Sequence, residues 1–304
     1  MKSLTNFGKQ LSEATRLFKQ DFNTSVKYWP NEYNENYDYI KFLRQKISLN
    51  PKVLIIGAGF EPNLESILNH THNYIKAGVH WTNFNPLVSL DILASTHTSP
   101  LEASFYGAHK PTHLIHGVYS KVPPCLKSSL TLRWSDPFLL KEFKGSPTAI
   151  DINNILISKA VGVAPYIPAV RNTLFFTASA LLWLGAKKII FTAVDPHNPI
   201  YFFQNNQTIK LEIATALSMC NPWLAQWDGR NERLGIYKKD TANRIQDFIK
   251  NILTTNSHVG RKEYIFEFDR GFKLLREQAD LFGCTLNYIG ESSYMATSKI
   301  KKIN

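Results

Sequence analysis

The sequence predicts an α/β fold, because short apolar runs typical of buried parallel strands alternate with longer helix-forming segments. The clearest predicted strands run from Val53 to Ile56 and from Lys187 to Val194, and both are continuous and β-branched. No internal repeat or low-complexity linker interrupts this alternation. We therefore expect a single Rossmann-like, mostly parallel sheet flanked by helices.

The length of the chain allows one large domain or two small ones. It has 304 residues and is 44% hydrophobic, enough to fill a sizeable core. A polar, helix-like segment predicts an N-terminal helical extension over residues 1–48, and the Rossmann-like domain would occupy residues 49–304. Within that domain, a helix-like run followed by a looser polar segment predicts a lid-like helical insertion over residues 204–240. A peripheral helical subdomain without a gating role is the alternative.

The charge of the chain indicates an anionic partner. The 35 Lys+Arg residues outnumber the 24 Asp+Glu residues, and the formal net charge is +11. Such a balance suits a nucleotide, an acidic glycan, a membrane surface or nucleic acid. The alternative is a merely basic surface, since the positive charges are dispersed except near the C-terminus.

The cysteines and the lack of long apolar stretches predict the compartment in which the protein works. Cys125, Cys220 and Cys284 are odd in number and far apart, so they predict neither a CxxC metal site nor a disulfide framework. The N-terminal stretch lacks the apolar run of a signal peptide, and no stretch approaches the ~20 apolar residues of a membrane span. We expect a cytoplasmic protein, with peripheral contact at the inner membrane surface as an option.

The first predicted strand leads directly into a glycine loop and a helix. Gly57 and Gly59 would let backbone N–H groups approach a phosphate or ribose at the N-terminus of that helix. The third glycine of a dinucleotide fingerprint is missing, and the next predicted strand ends in asparagines, including Asn83, instead of an acidic residue. Both departures disfavour NAD and S-adenosylmethionine as ligands.

The histidines between residues 80 and 116 do not predict a metal site. Only His109 and His113 are four residues apart, and Pro111 between them disfavours a shared helix. The chain also lacks a DxD triplet, the carboxylate pair that holds the metal in many sugar-nucleotide enzymes. We therefore predict chemistry without a metal ion.

The stretch from Arg171 to Tyr201 predicts the main functional edge. An apolar helix would begin near Asn172 and end at a turn at Gly185. The buried strand that ends at Val194 would follow this turn. The polar loop after it would present its side chains at the carboxyl edge of the sheet. Open α/β folds bind their ligands at this edge. Asp195 is expected to act as a structural cap at the end of the strand.

Over about residues 52–295, these motifs resemble the bacterial sialyltransferases of lipooligosaccharide synthesis and related glycosyltransferase-like proteins. The strongest match runs through Leu184-Gly185-Ala186-Lys187-Lys188-Ile189 to Ala193-Val194-Asp195. The resemblance implies a set of nucleotide-binding residues, in which Asn63 replaces the usual serine and Thr96 the usual asparagine: Gly57, Gly59, Asn63, Asn83, Thr96, Asn172 and Thr173.

The same resemblance implies the catalytic residues. His197 and Tyr201 stand where the family has tyrosines that hold the leaving phosphate. His258, in the segment Asn256-Ser257-His258-Val259-Gly260, would be the general base. The family's histidine usually follows the glycine of this segment, and here Arg261 follows Gly260. An imidazole with a pKa near 6.5 suits this role at neutral pH.

The implied activity is a metal-independent glycosyl transfer from a nucleotide-sugar, with a CMP-sugar favoured, to a hydroxyl acceptor. The acceptor would be an anionic glycan, a lipid-linked glycan or nucleic acid, and no cofactor is needed besides the donor. Transfer to DNA bases is one alternative. A second is an S-adenosylmethionine-dependent amino-methyltransferase, since Asn198-Pro199-Ile200-Tyr201 resembles its Asn-Pro-Pro-Tyr motif. A third is a catalytically inactive binding protein.

Overall fold

The computed structural model describes residues 32–95, 113–118, 130–135, 166–168, 172–198, 200–204, 206–211 and 262–303. In these residues nine strands form one sheet in the order β6-β5-β4-β3-β2-β1-β7-β8-β9, and every neighbouring pair is parallel. The predicted α/β fold with a single Rossmann-like sheet is confirmed. The strands are β1 Lys52–Ile56, β2 Ile75–Val79, β3 Ile92–Ser95, β4 His113–Val118, β5 Leu130–Ser135, β6 Tyr166–Pro168, β7 Lys188–Thr192, β8 Thr285–Tyr288 and β9 Lys301–Lys302.

Helices flank this sheet. The helices with both ends described are α1 Glu32–Leu49, α2 Leu64–His70, α3 Thr173–Leu184, α4 Lys262–Phe282 and α5 Ser293–Thr297, with a 3₁₀ turn at His80–Phe84. Residues 207–211 are also helical. No helix in the described part of the chain combines the length and the apolar character needed to cross a bilayer.

The strand order reverses direction between β1 and β7. From β1 the chain builds the sheet outward through β2 to β6, then returns to place β7 on the other side of β1. β1 is thus paired in register with both, with Ile56 opposite Gly78 of β2 and Thr192 of β7. A parallel sheet opens a crevice at the carboxyl ends of the strands where its order reverses, and ligands bind there.

The core on one face of the sheet is built around α3. All twelve residues of α3 are buried, because α1, α4 and the sheet pack around it. Its start at the Asn172 cap and its end at Gly185, which has a φ of 113°, confirm the predicted helix and turn. A helix that is apolar on every side requires this enclosure.

The N-terminal segment shares this core. Ile40, Leu43 and Ile47 of α1 are buried against α3 and the sheet, so the predicted extension is joined to the main domain through its last helix. Residues 1–31 lie outside the described residues.

The core on the opposite face is smaller. It joins Leu54 and Ile56 of β1 to Leu64 and Ile67 of α2, and to Phe203 beyond β7. Ile209 from the helical residues 207–211 is also buried here, so the start of the predicted insertion packs onto the body. The remainder of the predicted lid, residues 212–240, lies outside the described residues.

Candidate functional site

The structure brings several of the predicted site residues to the carboxyl edge around the reversal point. The segments that follow β2, β1, β7 and β8 lie in that order, and neighbouring strands are about 4.8 Å apart. Asn83 follows β2, the glycine loop follows β1, and His197 and Tyr201 follow β7. Thr96 and His258 lie outside the described residues.

The glycine loop packs directly against the chain that follows β7. The Gly57 N–H donates to the Thr192 carbonyl at 2.9 Å, and the Gly59 N–H donates to the Ala193 carbonyl at 3.0 Å. A side chain at either glycine would overlap the Ala193 carbonyl oxygen, with a Cβ at position 59 only 2.6 Å away. Close backbone packing therefore requires both glycines. Their N–H groups are already used, and their role toward a nucleotide stays a prediction.

The same loop also pairs with the segment that resembles the methyltransferase motif. Phe60 donates its N–H to the Ile200 carbonyl at 2.7 Å, and Phe202 donates to the Ala58 carbonyl at 3.1 Å. Gly59 and Tyr201 thereby form an antiparallel bridge. The chain after β7 is held across the end of β1 by these bonds.

Asn83 is the predicted site residue with the most unusual environment. Its side chain is 1% exposed, and in the part of the chain that the structure describes neither its amide nitrogen nor its amide oxygen has a hydrogen-bond partner. The adjacent Thr82 hydroxyl contacts the carbonyls of Ile56 at 3.1 Å and Val79 at 2.9 Å, which fixes the 3₁₀ turn over the end of β1. A buried polar group without a hydrogen bond lowers the stability of the fold by about 1–3 kcal/mol. Native proteins rarely leave such an amide unpaired.

Asn63 lies beside this edge in a different setting. Its side chain is exposed at the N-cap of α2 and makes no capping bond, while its N–H donates to Glu61 Oε1 at 3.1 Å. Glu61 itself is buried and also accepts from the N–H of Glu291 at 2.8 Å. This carboxylate, which we did not predict, ties the loop after β1 to the loop after β8.

Asn172 and Thr173 follow β6 at the start of α3. The Asn172 side chain accepts from the N–H of Leu174 at 2.8 Å, which is the geometry of an N-cap. The Thr173 side chain is buried, and its carbonyl accepts from Thr177 Oγ1 at 2.6 Å. Both residues thus have structural roles, and their nucleotide contacts stay predictions.

Tyr201 is held between the glycine loop and the opposite-face core. Its ring stacks on that of Phe203, with 5.0 Å between the ring centroids. Burial raises the pKa of the Tyr201 hydroxyl above its ordinary value. The hydroxyl therefore remains protonated at neutral pH and is able to donate a hydrogen bond.

A polar cluster of Asp195, Ser293 and His197 joins the ends of β7 and β8. Asp195 accepts from the Ser293 N–H at 2.8 Å and from the Ser293 hydroxyl at 3.1 Å. Its other oxygen accepts from the backbone N–H of His197 at 3.0 Å, which supports the predicted capping role of Asp195. The Ser293 hydroxyl also lies 3.4 Å from His197 Nδ1. The sequence analysis did not predict a role for Ser293. Its position after β8, the strand beside β7, is the sequence feature that could have indicated it.

The described residues contain no group of three or more His, Cys, Asp or Glu side chains arranged to hold a metal ion. His113, one of the histidines considered above, is buried at the start of β4, and its Nε2 lies 3.0 Å from the Nζ of Lys46. An ammonium group at this distance occupies the Nε2 lone pair of His113.

No protein-family model matches the chain, and neither the curated proteins nor the solved structures yielded a match. The strand order and pairing alone identify the fold, and the side chains at the carboxyl edge are the basis for a functional proposal.

Proposed function

We propose that this protein is a metal-independent glycosyltransferase that transfers a sugar from a nucleotide-sugar, with a CMP-sugar favoured, to a hydroxyl acceptor. The observation that carries the proposal is the buried Asn83 amide, which has no hydrogen-bond partner among the described residues and lies beside the reversal point of a parallel sheet. Native proteins rarely leave such a group unpaired, and a bound ligand would supply the missing partners.

The chemistry of the Asn83 side chain suits a nucleotide. A carboxamide presents an N–H donor and a carbonyl acceptor side by side, the same pairing that base edges and ribose hydroxyls present. A nucleotide held there would extend along the edge, past the glycine loop, toward the residues after β7. This direction follows from the strand order β2-β1-β7.

Groups after β7 would receive the donor's phosphate. The protonated Tyr201 hydroxyl is a hydrogen-bond donor for charge that develops on a leaving phosphate. His258 is the sequence candidate for the base. The net charge of +11 favours an anionic or lipid-linked glycan as acceptor, with peripheral membrane contact, over a neutral one.

The first test is a thermal-shift panel with CMP, UMP, UDP, GDP, S-adenosylhomocysteine and NAD. A ligand that binds only the folded protein, at ~100 times its dissociation constant, adds about 2.7 kcal/mol to the free energy of unfolding. We expect CMP to raise the melting temperature. A shift with S-adenosylhomocysteine alone would instead favour the amino-methyltransferase, and no shift with any nucleotide would count against the proposal.

Replacing Asn83 with leucine tests the observation itself. Asn83→Leu keeps a similar volume and removes the unpaired amide, so we expect the ligand-free protein to gain about 1–3 kcal/mol in unfolding free energy. The shift caused by CMP should disappear.

Asn85→Leu is the matched control for this substitution. Asn85 is also buried, but its side chain already accepts from the N–H of Leu87 at 3.1 Å. We expect this variant to lose stability and to keep the CMP shift. A CMP shift that survives in Asn83→Leu would remove Asn83 from the site.

A further inference from the structure

We infer that His197 is the general base of the proposed transfer, and that Asp195 and Ser293 are positioning residues that direct its Nε2 lone pair toward the acceptor. The inference rests on the proposed glycosyltransferase function. His197 then takes the role of base that the sequence suggested for His258, and Tyr201 alone keeps the role of holding the leaving phosphate.

The hydrogen bonds of Ser293 determine which ring nitrogen of His197 carries the proton. The Ser293 hydroxyl has one proton, and the Asp195 carboxylate 3.1 Å away can only accept it. His197 Nδ1, 3.4 Å from Ser293 Oγ, then faces only lone pairs of that oxygen, which favours the tautomer in which Nδ1 donates. We therefore assign the ring proton to Nδ1 and the lone pair to Nε2.

The plane of the His197 ring is set by Tyr294. The two rings meet edge to face, with 5.3 Å between their centroids. Tyr294 is 2% exposed, and its hydroxyl donates to Asp269 Oδ1 of α4 at 2.8 Å. Because Tyr294 is anchored in the core, it offers the imidazole a fixed surface to pack against.

The cluster is also fastened to the fold through the start of α5. Ser292 donates its hydroxyl to the Val194 carbonyl at 2.8 Å and accepts from the Met295 N–H at 3.1 Å, which caps the helix. Asp195 holds the next residue through the Ser293 N–H. The ends of β7 and β8 thus hold both positioning residues, while the His197 side chain stays exposed and accessible to an acceptor.

The proposed step balances as follows. The acceptor hydroxyl gives its proton to His197 Nε2 while its oxygen bonds to the anomeric carbon of the sugar. The bond from that carbon to the phosphate oxygen breaks, and the nucleotide leaves with the electron pair. The resulting imidazolium donates through Nδ1 to Ser293, whose hydroxyl donates to Asp195. The proton on Nε2 is then released to water, and no oxidant or metal is required.

The tautomer of His197 can be measured by NMR on the full-length protein with ¹⁵N-labelled histidine. Comparison with His197→Gln assigns the signal, and the measurement is made at about pH 8, where an ordinary imidazole is neutral. We expect the Nδ1–H form to predominate. In Ser293→Ala the preference should be lost, whereas Ser293→Thr, which keeps the hydroxyl, should retain it.

Ser292→Ala is the control for a purely structural role. It removes the cap of α5 but leaves the hydroxyl that contacts His197, so it should lower stability without changing the tautomer. A predominant Nε2–H form in the wild type, or an unchanged tautomer in Ser293→Ala, would overturn the positioning role.

Turnover separates this inference from the proposed function. With a CMP-sugar donor, we expect His197→Gln to lose at least ~100-fold in turnover while CMP still raises the melting temperature. Full turnover in His197→Gln would overturn the base assignment but leave the glycosyltransferase proposal intact. Absence of binding by every nucleotide of the panel in the wild type would overturn the proposed function, and with it the base role.

Discussion

At the scale of single residues, the described part of the chain contains two buried polar side chains at the carboxyl edge that have no partner. Asn83 follows β2 and Thr192 ends β7, and both are at most 2% exposed. The two side chains differ in their surroundings. The strand register and side-chain alternation put Thr192 on the face of the apolar residues Ile56 and Ile190, whereas Asn83 lies in the turn above the strands. Under the proposed function a ligand would pair with Asn83, whereas the Thr192 hydroxyl contributes only a cost in stability.

This assignment predicts the effect of Thr192→Val. Valine has nearly the same shape and no hydroxyl, so the variant should gain about 1 kcal/mol in the free energy of unfolding, measured with urea. Thr177→Val is the matched control, because the buried Thr177 hydroxyl donates to the Thr173 carbonyl at 2.6 Å and that bond would be lost. A loss of stability in Thr192→Val would show that its hydroxyl has a favourable partner.

At the scale of elements, the contact between α3 and α4 depends on a glycine. Gly271 of α4 lies against the Phe175 ring of α3, so close that a Cβ at this position would overlap the ring. Around this point the Phe175 ring meets those of Phe268 and Phe272 edge to face, with centroids 5.3 Å and 5.0 Å away. The glycine sets how closely the two helices approach.

Gly271→Ala should therefore destabilise the fold, against the usual trend. Alanine in a helix interior normally stabilises by about 1 kcal/mol relative to glycine, but here we expect a loss of about 1–3 kcal/mol from the clash. Adding Phe175→Leu should recover part of this loss, and a double-mutant cycle in urea would measure the coupling. If Gly271→Ala unfolds at a higher urea concentration than the wild type, the close packing inferred here is wrong.

At the scale of the whole molecule, a polar contact joins α1 to strand β4 of the sheet. Lys46 Nζ donates to the neutral Nε2 of His113 in β4. Burial, and then the Lys46 ammonium, lower the pKa of His113 below its ordinary value, with the Asp91 carboxylate acting in the opposite direction. The folded protein consequently binds this proton less readily than the unfolded chain does.

Stability should therefore fall as the pH decreases through the range below about 6.5, the ordinary histidine value. A lowered pKa contributes stability that is fully present above the unfolded value and is lost as the pH falls through the folded value. Urea unfolding between about pH 7.5 and pH 5 should show the decline, and His113→Gln should make it shallower. An identical pH dependence in the variant would exclude His113 as its source.

The sequence could predict much of the architecture and some of the site. The β-branched runs at Val53 and Ile189 and the cap at Asn172 are local signals, so the strands, α3 and the parallel sheet follow from them. The role of the glycines was harder to infer, because the carbonyl against which Gly57 and Gly59 pack belongs to Ala193, far along the chain. Such a contact leaves no local pattern.

The sequence alone determined that polar residues would follow buried strands and meet at one edge, since side-chain periodicity and strand signals depend on neighbouring residues. Only the tertiary structure decided which of these polar atoms are paired. It buried the Asn83 amide with no partner among the residues that the structure describes, and it joined Asp195 to Ser293, 98 positions away. Hydrogen bonds and burial depend on distances in space, which the folded chain sets and the order of residues does not record.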